Sequence, residues 1–491
     1  MSVAANEESG HRRTMKTSPN KWAWVDLKWP LGGGIAEYPT ALARDSLAAL
    51  LSERGQTLEP VSAYDVLSGR VARYPVWLFS AVTCEWPQCR LVAGEVRRRD
   101  PEAILVVGGY HVSAMPDDEG MELFDYVVIG EGESVLDEIA GRARQHSGDG
   151  SGVRSRTTLL SARHERLDDL PWPTRLRHEC AASKLSGLIY PSPSRQRAVA
   201  ALLLSRGCNS RCSFCASHTI WGSRLITRGV DCVLGEVRHI TRDLGVNALV
   251  FVDQAFGEDV AWTNELCLRL CEAHIAAKWY CMAKPTLEQS LLSMMARAGC
   301  TKIGVGVETA DLDMRRALNR PGDSDLDDLN HLFRACNKSG IVVKVYFMIG
   351  FPWETPEYLM RTTKRFLENL EANELKITFF TPFPGTDDWS KYSNQLITKA
   401  WQYFDTETIP VVFNPNIAVD QYHRIRMDLF RAFYGSRTYV DTTQRLLGIR
   451  PQYAQSYLEF AEYLKTYDLI SGGEEWLHWL PNPKTTISEV A

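Results

Sequence analysis

The chain of 491 residues carries a formal net charge of -5, with 45% hydrophobic and 23% charged residues. Its length exceeds what one hydrophobic core serves, so two or three domains are expected. The acidic balance excludes a sequence-independent grip on nucleic acid, and no apolar run approaches the ~18 residues that read as a membrane span. Residues 1–20 are polar, lack the apolar core of a secretion signal and read as a disordered tail of a cytoplasmic protein.

Residues 21–147 read as a first domain. Strands are predicted over 22–27, 58–64, 76–80, 104–107 and 126–129, and helices over 39–54, 89–99 and 134–144. The first helix carries Leu42, Leu47, Leu50 and Leu51 and stops at Gly55. Strands alternating with helices at this spacing imply a doubly wound parallel sheet, whose ligands bind outside the carboxyl ends of the strands. Three of those ends are suggestive turns: Ser80-Ala81-Val82-Thr83, Gly108-Gly109-Tyr110-His111 and Gly130-Glu131-Gly132-Glu133. Glycine there lets a flat ligand approach the backbone closely.

A linker over 148–195 leads to the stretch around which the chain is organised, Cys208-Asn209-Ser210-Arg211-Cys212-Ser213-Phe214-Cys215. The apolar run 199–204 before it reads as a buried strand. Three thiolates at C-x3-C-x2-C spacing can hold three irons of a 4Fe–4S cluster and leave the fourth open. The competing readings are a zinc knuckle or three unrelated buried thiols. Structural zinc wants four ligands, and no second C-x2-C pair follows. The other cysteines of the 12, including Cys180, Cys232, Cys267, Cys271, Cys281, Cys300 and Cys336, read as free thiols filling helix and strand faces in a reducing compartment.

Residues 196–395 alternate again. Strands are predicted over 248–253, 279–282, 302–307, 342–349 and 375–381, with helices over 230–244, 262–276, 287–298, 326–338 and 356–370. With the strand before the triplet, this makes six βα steps, hence an incomplete (β/α)6 barrel with its active groups at the carboxyl ends. Residues 396–491 read as a helical tail: Tyr422, Ile425, Leu429 and Phe433 fall at helical spacing over 420–434, and two further helices are predicted around 451–466. Trp476 and Trp479 fit no motif.

The triplet, with Phe214 directly before its third cysteine, resembles the signature of the radical S-adenosylmethionine (radical SAM) superfamily. The segments 106–111 and 125–133 resemble the cobalamin-binding domain of its cobalamin-dependent members, and Leu167-Asp168-Asp169-Leu170-Pro171-Trp172-Pro173 resembles their linker into the catalytic domain. Segments 304–309, 346–355, 381–386 and 431–437 resemble family segments in the same order. The resemblance covers roughly residues 22 to 440.

That resemblance implies an α/β architecture: a cobalamin-binding-like doubly wound sheet, a partial radical SAM barrel and a helical tail. It implies that Cys208, Cys212 and Cys215 hold the cluster and that Phe214 lies beside the adenine. By the same resemblance Asp253 and Gln254 take the amino group of SAM, Glu308 lies near its ribose and carboxylate, and Tyr346 opens the segment beside the adenine. An arginine that many relatives carry near the third strand end is replaced here by Ala283 and Lys284. Cobalamin contacts are implied for Ser80, Thr83, Gly108, Gly109, His111, Gly130, Glu131 and Gly132. His111 lacks the D-x-H-x-x-G context of a cobalt ligand and is expected to bond its own loop.

The chemistry so implied is a 5'-deoxyadenosyl radical that abstracts hydrogen from an unactivated carbon of a small-molecule substrate in secondary metabolism. Methylcobalamin then gives up its methyl, and an external flavodoxin or ferredoxin supplies electrons. Without cobalamin the same barrel would dehydrate, epimerise or cyclise a sugar or aminocyclitol in antibiotic biosynthesis; the bulky loop 84–89 points that way, the glycine turns toward methylation. A third reading is a non-catalytic cobalamin or redox sensor. No general acid or base is assigned.

Overall fold

A computed structural model of the chain describes residues 20–27, 41–146, 156–175, 198–319, 322, 324–451, 454, 457 and 458. The expected tail over 1–19, the glycine run at 32–34, Cys180 with most of the linker, and the end of the chain with Trp476 and Trp479 lie outside the described residues.

The first sheet has six parallel strands in the order β2-β1-β3-β4-β5-β6: β1 (Lys21–Asp26), β2 (Thr57–Ser62), β3 (Val76–Ser80), β4 (Ile104–Gly108), β5 (Tyr126–Ile129) and β6 (Thr157–Leu160). Buried on both faces, its strands are nearly continuous apolar runs. Trp77, Phe79, Leu105 and Val107 pack one way, with Val92 and Val96 of helix α1 (Trp86–Arg99). Val76, Leu78, Ile104 and Val106 pack the other way, with Leu136 and Ile139 of helix α2 (Leu136–His146). Strand order reverses between β1 and β3, which opens a crevice at their carboxyl ends. β6 falls in the stretch read as linker; with one half-exposed, two exposed and only one buried residue, it has no apolar run to betray it.

The second sheet also has six parallel strands, in the order β14-β13-β12-β11-β10-β7: β7 (Ala200–Leu202), β10 (Ala248–Phe256), β11 (Lys278–Ala283), β12 (Cys300–Glu308), β13 (Val342–Ile349) and β14 (Glu374–Phe379). β7 and β14 are the two edges, so the sheet curls as an incomplete barrel. Leu249, Phe251, Cys281, Ile303, Val305, Val343 and Val345 face the surrounding helices. Alternation sends Val250, Tyr280 and Met282 to the opposite, interior face. Between β7 and β10 a two-stranded antiparallel clasp, β8 (Ser205–Arg206) with β9 (Ile226–Thr227), brackets the triplet.

After the barrel, the helix Val419–Tyr434 buries Tyr422, Ile425, Leu429 and Phe433, the residues placed on one face by spacing. None of the described cysteines is in a disulfide. Cys267, Cys281, Cys300 and Cys336 are buried fillers, as their surroundings of apolar side chains require.

Candidate active site between the two sheets

The cluster loop is held at its entry by the neighbouring strand. Asp253 of β10 accepts from the Leu204 N–H at 3.3 Å and from the Ser205 hydroxyl at 2.5 Å. Gly207 then turns with φ +86°, and a Cβ there would lie 2.1 Å from the Arg224 carbonyl oxygen, so only glycine fits. Cys208 and Cys212 are buried and Cys215 is half-buried. Cys208 Sγ lies 3.8 Å from Glu258 Oε2, and Cys215 Sγ 3.1 Å from the Ser217 hydroxyl. Three thiolates on one tetrahedral zinc would stand about 3.8 Å apart, from Zn–S bonds of about 2.3 Å. Among the described residues the three sulfurs do not gather within 4.8 Å of one another. The arrangement is therefore not that of ligands gathered on one ion, and ligands spread over separate irons of a cluster are not bound by that limit. Phe214 packs into the aromatic cluster of Phe351 and Phe380.

At the strand ends the two residues expected to meet the amino group of SAM part company. Asp253 is 2% exposed and turned to the loop entry, where both oxygens are engaged. Burial pushes its pKa up to about 6, against the lowering effect of the Ser205 and Leu204 donors. In this structure it supports the entry of the cluster loop. Gln254, one residue on, is half-buried, and its Oε1 is buried with no hydrogen-bond partner. Such an orphaned acceptor fits an ammonium donor.

Sequence reading missed Glu258 as a partner of the site and left Lys284 only as a departure. The two form an ion pair at 2.9 Å, with side chains 14% and 12% exposed, beside Cys208. Their separation along the chain hides the pairing, although each closes a barrel strand. Glu308 is buried at the end of β12 with φ +70°, a left-handed conformation that a non-glycine residue rarely adopts. Tyr346 lies within β13, its hydroxyl 3.0 Å from that of Tyr280, which also points at Met282 Sδ. Gly304 makes room for this pair: a Cβ there would come 2.2 Å from the Tyr280 oxygen. Tyr346 is thereby tied to Tyr280 on the neighbouring part of the sheet.

The first sheet presents its carboxyl ends to this mouth. Ser80, Gly108, Gly109, Gly130 and Gly132 are half-exposed there. Gly109, at φ +103°, closes on β3, with a Cβ position 2.7 Å from the Ala81 carbonyl oxygen. At Gly108 and Gly132 a Cβ would make only ordinary contacts, with Val128 at 3.6 Å and Leu47 at 3.8 Å, so a side chain there would meet no steric clash.

Three of the residues expected at the cobalamin are buried, and His111 bonds its own loop as expected. Thr83 is 6% exposed and folded inward. His111 is fully buried, bonded through Nε2 to Asp118 Oδ2 at 3.0 Å, stacked on Trp86 and met edge-on by Trp401. Glu131 is 2% exposed and accepts from Arg206 at 2.6 Å. The bulk of the loop 84–89 does not crowd the crevice either. Trp86 begins α1 inside the hydrophobic core, 0% exposed, with its indole N–H donated to the Glu119 carbonyl. Cys84 and Cys89 are buried with it.

Four cross-links join the two faces: Arg206 with Glu131 and Glu133, Trp221 with the Tyr110 hydroxyl at 2.7 Å, Trp401 with Asp118 at 2.8 Å, and Gly385 against Ala114. Residues 202–366 match the Radical SAM superfamily, and residues 62–140 match the B12 binding domain. The chain belongs to the radical SAM superfamily, in the group that carries a cobalamin-binding domain.

A radical SAM protein of this group has three cofactors implied by its two domains: a 4Fe–4S cluster, S-adenosylmethionine and cobalamin. An uncharacterized methyltransferase of Pyrococcus horikoshii is 24% identical over 370 residues, covering 72% of this chain and 77% of the relative. The bacteriochlorophyllide d C-12(1)-methyltransferase of Chlorobaculum tepidum is 24% identical over 311 residues, 62% of this chain and 63% of the relative. Among solved structures, TsrM from Kitasatospora setae with cobalamin and a [4Fe-4S] cluster bound aligns with a TM-score of 0.59 at 18% identity, over 84% of this chain and 89% of that one. OxsB with aqua-cobalamin and S-adenosylmethionine bound aligns at 0.57 and 14%, over 89% of this chain and 72% of that one. The fold of this radical SAM protein, two parallel sheets with flanking helices, is theirs. No described helix is long and apolar enough to cross a membrane.

Proposed function

We propose that this protein is a cobalamin-dependent radical SAM methyltransferase that methylates an unactivated carbon of a small molecule. The observation that carries the reading is the meeting of two carboxyl-end faces. One bears the C-x3-C-x2-C loop and the other bears half-exposed glycine turns at Gly108 and Gly132. Methyltransferase relatives of both domains support it, including the tryptophan 2-C-methyltransferase of Streptomyces laurentii. The cobalamin-free dehydratase, epimerase or cyclase loses its main argument, because the bulk of Trp86 sits in the core and leaves the crevice alone.

Cys208, Cys212 and Cys215 would hold the cluster, and Phe214 would border the SAM site. Gln254 offers an acceptor to the SAM ammonium, while Glu258 and Lys284 present one charge of each sign beside Cys208. Bound there, the cofactors supply radical generation and the methyl group; the chain binds, orients and excludes water. Tyr280, Met282 and Tyr346 form the chamber floor on which a substrate would rest. An external flavodoxin or ferredoxin and a cytoplasmic setting complete the reading.

The test is anaerobic reconstitution with iron, sulfide and hydroxocobalamin. About four irons per chain and a corrin spectrum surviving desalting are expected, and Cys212→Ala should lose the cluster. Retention of iron by Cys212→Ala, or absence of corrin from the wild type, contradicts the assignment. Dithionite and SAM should release 5'-deoxyadenosine.

A further inference from the structure

Arg206 stands two residues before the first cluster cysteine and is 5% exposed. Its guanidinium is split between two carboxylates of the other domain. One nitrogen lies 2.6 Å from Glu131 Oε2 and another 2.6 Å from Glu133 Oε1, with those side chains 1% and 8% exposed. The same guanidinium covers the ring of Trp221 at 4.7 Å, and Trp221 reaches back to Tyr110. One side chain thus touches the turn after β5 and both flanks of the cysteine triplet. Glu131, Glu133 and His164 bring their ligand atoms within 4.8 Å of one another, a spacing that could hold an ion, but the guanidinium already occupies the two carboxylates.

We propose that Arg206 is the positioning residue that fixes the cluster loop against the cobalamin-binding turn, so that the two cofactor sites are set as one unit. A planar fork can satisfy two carboxylates at once, whereas a lysine ammonium is a point charge and holds one at this geometry. Because the three groups are buried together, removing one partner leaves a charge uncompensated. The consequence is directional: disturbing the turn at Gly130-Glu131-Gly132-Glu133 shifts the loop that carries Cys208, and disturbing Arg206 shifts the turn on which cobalamin rests. The inference rests on the two-cofactor reading above.

The experiment compares full-length, reconstituted wild type with Arg206→Lys and Glu133→Gln. Iron content, hydroxocobalamin affinity and the electron paramagnetic resonance spectrum of the reduced cluster with and without SAM are measured. Each variant should keep about four irons. Arg206→Lys should weaken corrin binding about ten-fold or more and alter the SAM-dependent change in the cluster spectrum; Glu133→Gln should do both to a smaller degree. If Arg206→Lys fails to fold, Glu133→Gln alone decides. Wild-type corrin affinity and wild-type spectra in the folded variants overturn the proposal while leaving the two-cofactor reading intact. A wild type that binds no corrin overturns that reading as well.

Discussion

Glu354 shows how burial decides protonation at a single residue. Its Oε2 accepts from the Gly350 and Phe351 N–H groups at 2.7 Å and 3.1 Å, which favours the ionised form. Burial at 1% exposure outweighs them and pushes the pKa up to about 8, from an ordinary 4.5. The folded state therefore holds a proton that the unfolded chain has released, so this contribution to stability is full below pH 4.5 and falls as pH rises toward 8. Glu354→Gln keeps an acceptor and removes the titration. Unfolding midpoints of wild type and variant, followed from pH 5 to 9, should diverge on raising pH to about 8 and run parallel beyond it. Gln254, on β10, is a different case, a buried acceptor without a hydrogen-bond partner. Gln254→Ala should raise the KM for SAM about ten-fold, the loss of one hydrogen bond to a charged group, when 5'-deoxyadenosine release is assayed.

At the scale of an element, the turns after β4 and β5 separate glycine that the chain needs from glycine that tolerates a side chain. Gly109 combines φ +103° with a Cβ position 2.7 Å from the Ala81 carbonyl oxygen. Gly132 has φ -74° and its nearest Cβ neighbour at 3.8 Å. Gly109→Ala is expected to destabilise the fold by about 1–3 kcal/mol, and Gly132→Ala by no more than about 0.5 kcal/mol. Calorimetry should show a lowered midpoint only for the former. If Gly132 instead serves the ligand surface, its alanine variant should weaken hydroxocobalamin binding while the midpoint stays put. Equal effects on both quantities in both variants would contradict this division.

For the molecule as a whole, the post-barrel segment locks one side of the interface. Trp401 donates to Asp118, meets His111 edge-on at 5.2 Å and packs on Trp389 and Phe404. Asp118 thereby receives both His111 and Trp401, and their hydrogen bonds hold its pKa below the usual carboxylate value despite partial burial. Trp401→Ala should cost about 3 kcal/mol. Hydrogen exchange should accelerate in 401–405 and in the facing loop 83–85, while β11, β12 and β13 stay protected. Uniform acceleration across the barrel would show that the segment supports the whole fold and not the interface alone.

How much of this was legible beforehand follows the range of the interaction. The cysteine triplet, the apolar strands and the glycine turns are local patterns of spacing and periodicity, and they were readable as such. Even so, Asp253 and Gln254 could not be told apart. They are adjacent in the chain, and only the folded structure shows that Asp253 bonds the loop entry while Gln254 Oε1 has no partner. The partners of Glu131 and Glu258 are hidden for a different reason. Arg206 lies 75 residues from Glu131, and Lys284 meets Glu258 because β10 and β11 are neighbouring parallel strands. Trp86 reads as bulk in a loop until a helix turns it into the core. Short-range preferences act within one element, so the sequence by itself determined the cofactor loop and the two α/β halves. Which carboxylate supports the loop, and which charge joins the halves, was decided when two separately built sheets were set face to face.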